Sequence, residues 1–141
     1  MDLQSIIYTH LLADSNVTGL LADYSGSYAL FSSFAPEGVT LGERPMLIID
    51  AANSDENDDT FSEEYRRAET FIRIYAKSGG SEASLVSTAE AVRNSLKSWS
   101  PGAVTGGEMV NASVSGPVTA PVASPDERGR LITLTTLIKD Q

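Results

Sequence analysis

Between Tyr65 and Lys77 the side chains alternate without a break, with Thr70, Ile72, Ile74 and Ala76 on one side and Glu69, Phe71, Arg73 and Tyr75 on the other. A period of two over that length specifies a long β-strand with one largely apolar face. Such a face has to be covered, and two helical patterns are available to cover it. Leu3, Ile6, Ile7, Leu11 and Leu12 recur at helical spacing, which predicts a helix over residues 2 to 13, with Asp2 as its cap and Asp14-Ser15-Asn16 ending it. Residues 17 to 21 read as one further turn capped by Asn16 and weakened by Gly19. The second helix carries the stripe Leu85, Ala89, Val92, Leu96 and Trp99, with Ser81 as its cap and Ser100-Pro101-Gly102 closing it. Glu82 stands at its N-terminal end and Arg93 and Lys97 near its C-terminal end, as the helix dipole favours.

Further strands are expected on either side. Residues 27 to 33 read as a short one, and Met46-Leu47-Ile48-Ile49-Asp50 as a compact one directly behind Pro45, where the missing N–H does least harm. Residues 53 to 64 are the most polar stretch, with carboxylates at Asp55, Glu56, Asp58, Asp59, Glu63 and Glu64, and read as a long exposed hairpin loop. Gly79-Gly80 ends the long strand. The remainder reads as β segments over 108 to 114 and 130 to 139, with Pro117, Pro121 and Pro125 in the loop between, because prolines so placed do not fit a central strand. The branched run Leu131 to Ile138 is strongly β-prone. No internal repeat is present. The order predicts one α+β domain over residues 1–141, an antiparallel or mixed β-sheet with two α-helices packed on one face.

At 141 residues and 15.0 kDa, surface scaling gives about 7,000 Å² exposed when folded, enough burial for a core without staples. The absence of cysteine excludes disulfide scaffolds, thiolate metal sites and cysteine nucleophiles. No apolar run approaches the roughly 20 residues that span a bilayer, and Asp2 stands where a signal peptide would be basic, so the expectation is a soluble protein of the cytoplasm or of a particle, with no membrane contact. The net charge is −9, and it is unevenly spread: residues 1 to 70 hold 3 basic and 13 acidic side chains, residues 71 to 141 hold 7 and 6. That balance argues against gripping a phosphate backbone.

The residues offer little catalytic chemistry. His10 is the single histidine, on the first helix, and reads as a surface or boundary residue. Asp55, Asn57 and Asp59 alternate as in a calcium loop, but Thr60 replaces the required Gly and Arg66 the bidentate Glu, so no metal site is expected. Gly79-Gly80 and Gly106-Gly107 match no phosphate-binding fingerprint. No Gly-x-Ser-x-Gly elbow occurs. Arg66-Arg67 read as charge partners of the neighbouring carboxylates. No enzyme activity and no cofactor are expected.

The opening Asp2-Leu3-Gln4-Ser5-Ile6-Ile7-Tyr8-Thr9-His10-Leu11, then Ala13-Asp14 and Val17-Thr18-Gly19-Leu20-Leu21, resembles the start of the tail terminator, or tail completion, family of long-tailed phages and gene transfer agents. Arg44-Pro45-Met46-Leu47-Ile48-Ile49 resembles that family's proline-led strand, and Thr70-Phe71-Ile72-Arg73-Ile74-Tyr75-Ala76 with Gly79-Gly80 its long strand and glycine turn. Residues 83 to 96 match the helix that follows, and Ser124-Pro125-Asp126-Glu127-Arg128-Gly129 the turn before the last strand. The family often has Trp where Tyr75 stands, and the acidic loop here is longer and more charged. The resemblance implies a virion structural protein at the head–tail junction, assembled in the host cytoplasm. It would form a ring of copies of itself, commonly a hexamer, that caps the tail tube protein, stops its polymerisation and meets the head–tail connector protein. DNA would pass through the lumen without specific binding. The expected docking or channel-lining loop comprises Asp55, Glu56, Asp58, Asp59, Phe61, Glu63, Glu64, Arg66 and Arg67. Two other readings stand beside it: a head-completion stopper, and a small cytoplasmic binding domain that does not assemble.

Overall fold

The computed structural model describes residues 3–36, 39, 42, 44–55, 65–77, 82–97, 99, 103–104, 107–122 and 125–140. The first helix, α1 (Leu3–Ala13), buries Leu3, Ile7 and Leu11, one residue per turn of a single stripe. A one-turn helix, α2 (Ser15–Thr18), follows, and its cap is Asp14, not Asn16: the Asp14 carboxylate accepts from the Asn16 backbone N–H at 3.0 Å. The capping oxygen must precede the free N–H groups it serves, which puts the cap two residues earlier than expected.

The expected strand over residues 27 to 33 is in fact two pieces. Strands β1 (Asp23–Tyr24) and β2 (Ser27–Tyr28) form a small hairpin whose turn residues, Ser25 and Gly26, both have positive φ. That is the twist a two-residue hairpin requires. Strand β3 (Leu30–Ser32) then enters the main sheet beside β4 (Met46–Ile49). Next come β5 (Asn53–Asp55), the long β6 (Tyr65–Lys77), helix α3 (Ala83–Lys97), the short β7 (Ala103–Val104), β8 (Gly107–Thr119) and β9 (Glu127–Asp140).

The seven-stranded sheet runs β3-β4-β6-β9-β8-β7, with β5 also paired to β6. Only β3 and β4 are parallel, so the sheet is mixed, and the fold is α+β as expected. Cross-strand rows explain the core. Leu30, Leu47 and Ile74 form one row, and Ile49, Ile72 and Ile132 the next; Leu134, Thr136 and Ile138 continue the same face along β9. Residues directly opposite share a face, so these buried side chains point together at α1 and α3. The predicted apolar face of β6 is buried at Thr70, Ile72, Ile74 and Ala76. On the opposite face a smaller cluster of Ala29, Phe31 and Ile48 is covered by Tyr24, Ala35, Val39 and Tyr75.

Strand β8 corrects the expectation for Pro117. It runs through this residue, which follows a cis peptide at Gly116, and the register with β9 shifts between Ser115 and Val118. Strand β7 pairs only with Gly107 and Glu108, so β8 is an edge strand at Pro117 and the missing N–H costs no bond there. Strand β9 likewise starts earlier than expected, at Glu127. Glu82 also does more than face a helix dipole, since it bridges to Arg130 at 3.0 Å and to Arg128 at 3.5 Å. Ser81, the Gly79-Gly80 turn, Gly106 and Ser100-Pro101-Gly102 lie outside the described residues.

Gly129 occupies an otherwise regular strand because a Cβ there would lie 2.9 Å from the Tyr75 ring and 3.0 Å from the Ala120 Cβ. Gly129→Val is therefore expected to destabilise the fold by about 2–3 kcal/mol through overpacking, read as a lower urea midpoint at an unchanged slope.

Candidate docking surface

The acidic stretch is rooted more firmly than a loop reading implied. Asn53, Ser54 and Asp55 form β5, antiparallel to β6, with Asn53 opposite Glu69, Ser54 opposite Ala68 and Asp55 opposite Arg67. On its other side β6 pairs with β9, with Tyr65 in register with Lys139, Arg66 with Ile138 and Arg67 with Leu137. The structure thus brings Asp55 and Arg67 to the same register position at the base of a hairpin, with Arg67 exposed. The expected docking residues Glu56, Asp58, Asp59, Phe61, Glu63 and Glu64 lie outside the described residues. A segment anchored on two paired strands of a rigid sheet has a fixed point of departure, as docking loops generally do.

A second feature was not anticipated from the sequence. Ser33 has φ +71°, and the Phe34 N–H bonds back to the Ser32 carbonyl at 2.9 Å, a three-residue turn of the rare hand. A non-glycine residue in this conformation costs about 1–3 kcal/mol and persists only when its surroundings over-determine it. They do so here. The Ser33 N–H donates to the Ile49 carbonyl at 2.8 Å, and Gln4 Nε2 donates to Ser33 Oγ at 3.0 Å and to the same Ile49 carbonyl at 2.9 Å. Arg73 donates to the Ser33 carbonyl at 2.9 Å and to Asp50 Oδ1 at 2.6 Å. Burial alone would lower the Arg73 pKa, but the hydrogen bond and charge of Asp50, with Tyr75 beside them, outweigh it and hold the pKa raised. The consequence of this clamp is Phe34, which is 74% exposed. The positive φ comes from tertiary hydrogen bonds, so no local sequence signal marks it.

His10 lies at the boundary between α1 and α3, its ring stacked on Trp99 with centroids 4.6 Å apart. Its Nε2 is 3.1 Å from Ser95 Oγ, superficially a base beside a nucleophile. The same nitrogen is 2.9 Å from the Ser95 carbonyl, which only accepts, so Nε2 carries the proton and cannot take one from the hydroxyl. Arg44 is likewise structural: it donates to the Leu21 carbonyl at 3.0 Å and the Gly19 carbonyl at 2.5 Å, fastening the end of α2 to the start of β4. Among the described residues no three His, Asp or Glu side chains converge as a metal site would need. No helix among them is long and apolar enough to cross a membrane.

No family model matches the chain, and no curated protein does. A solved structure does match: a chain from the virion of a native gene transfer agent particle is 19% identical over 98% of this chain and 95% of its own length, with a TM-score of 0.74. The two chains therefore share one fold from end to end.

Proposed function

We propose that this chain is a structural tail terminator of a phage-like or gene transfer agent particle. The observation that carries the reading is the end-to-end fold match to a gene transfer agent virion chain, at a TM-score of 0.74. Supporting it, the stretches that resemble the terminator family at residues 44 to 49 and 70 to 76 become β4 and the C-terminal half of β6, adjacent strands of the sheet. In this role copies of the chain close a ring on the last layer of the tail tube and offer the other side of the ring to the head connector. Such a cap needs a heterologous contact that closes and two chemically different ends. The acidic hairpin on β5 and β6 supplies one distinctive end. Facing the lumen, it would repel DNA and let it slide, and facing the tube or connector it would dock on a basic surface. The chain works by shape and contact, without catalysis.

The test is assembly of tails with this chain omitted. Tubes are expected to run past their normal length and to fail to join heads. Tubes of normal length that still join heads would overturn the proposal, and rings found on isolated heads but not on isolated tails would reassign the chain as a stopper.

A further inference from the structure

Ser33 is held away from the conformation its own chemistry prefers. A residue with a β-carbon relaxes to negative φ when it is free to, so a serine at φ +71° stays there only while its partners do. Those partners are not equivalent. The Ser33 N–H lies ahead of the φ rotation in the chain, and its bond to the Ile49 carbonyl survives a change at Ser33. Gln4 also keeps its own bond to the Ile49 carbonyl. The group that follows φ and ψ is the Ser33 carbonyl, and what fixes it, and with it the direction in which the chain leaves β3, is Arg73.

Arg73 is itself unrelaxed. Its Nε is buried with no hydrogen-bond partner among the described residues, a cost that a guanidinium escapes by turning its five donors to water. Asp50 keeps it in place. One nitrogen, Nη2, donates both to Asp50 Oδ1 at 2.6 Å and to the Ser33 carbonyl at 2.9 Å, and the carboxylate supplies the counter-charge that a partly buried cation needs. Asp50 therefore acts on the turn through Arg73. Its side chain is 28% exposed, so its charge can be reached from outside.

We infer that Asp50, Arg73 and Ser33 form a conformational catch with two positions. Engaged, the Asp50–Arg73 pair holds the Ser33 carbonyl, Ser33 is left-handed and Phe34 stands exposed. The catch opens when a basic side chain from outside draws Asp50 off Arg73: the guanidinium turns to water, Ser33 drops to negative φ and Phe34 leaves its position. Two groups that each relax on letting go of the other favour one position or the other over anything between. Asp50 lies between β4 and β5, at the root of the acidic hairpin, so a basic surface meeting that hairpin is the partner whose chemistry fits this input. The catch belongs to the chain itself and does not depend on the terminator reading.

The test is nuclear magnetic resonance of the full chain with Asp50→Asn, Arg73→Gln and the two combined. Asp50 N–H bonds to the Phe71 carbonyl at 2.9 Å, and the Asn variant keeps that bond, so its fold is expected to be intact, with the amides of β9 protected as in the parent. In the parent, Ser33 is expected to give the strong intraresidue HN–Hα contact of positive φ. In Asp50→Asn that contact is expected to weaken, and the Phe34 amide to exchange with solvent at least about tenfold faster through loss of its bond to Ser32. The combined variant is expected to match Asp50→Asn, because the two residues act in series. Positive φ retained at Ser33 in Asp50→Asn, or exchange effects that multiply in the combined variant, would overturn the catch and leave the terminator reading untouched. If Arg73→Gln does not fold, the Ser33 contact and Phe34 exchange in Asp50→Asn decide the matter alone.

Discussion

Ile72→Ala is expected to cost about 3–4 kcal/mol of folding free energy, within the range for emptying a fully packed aliphatic site. Ile72 is fully buried at the centre of β6, between Ile49 on β4 and Ile132 on β9, directly beneath the helical layer. Neither neighbouring strand can move in to fill the space without breaking its own ladder, so collapse of the cavity is limited. A domain of this size has about 5–15 kcal/mol in total, so the loss is a large share of it and lowers the melting temperature by about 10 °C. Leu137→Ala is the contrasting case. Leu137 is only half-buried, on the face of β9 opposite the helices, and about 1 kcal/mol is expected there. Equal losses at the two sites, measured by urea unfolding, would contradict a main core on the helix-covered side of the sheet.

Neutralising the acidic hairpin, with Asp55→Asn, Glu56→Gln, Asp58→Asn and Asp59→Asn together, is expected to impair head joining or DNA passage at least about tenfold while sparing the fold. The substitutions remove four of the 19 acidic side chains, a residue type that rarely packs in a core. Their effect falls on whatever the loop meets. If it docks on a basic surface, losing the charges slows encounter and weakens the complex, and a drop of about tenfold or more in head-joined particles is expected, steepest at low ionic strength. If it lines the channel, the barrier that keeps DNA from sticking is lost and ejection or packaging is impaired instead. Unchanged tail length, head joining and DNA passage in the variant would discard the loop as a working element.

The elements readable in the sequence were those whose pattern is set by burial on one face. The alternation of β6 and the stripe of α3 are both written directly by contact with the core, and Trp99 follows the stripe to its end against His10. What escaped was set by partners distant in sequence. Asn-Ser-Asp has little intrinsic strand preference, and β5 forms because β6 offers a free edge beside it. Pro117 is tolerated in β8 because that strand happens to be the outer one. The Ser33 turn is made by Gln4 and Arg73, 29 and 40 residues away, so Phe34 could not be distinguished in advance from any other aromatic residue. Of the expected docking residues, the positions of Asp55, Arg66 and Arg67 at the hairpin base follow from strand pairing, which no single-residue property announces.

The measurement that bears most directly on the whole account is electron microscopy of the purified chain mixed with tail tubes built from the same particle's tube protein. Rings of this chain, seated at one end of each tube and halting its growth at a fixed length, are the predicted result. Tubes with bare ends that keep elongating in excess protein would contradict it.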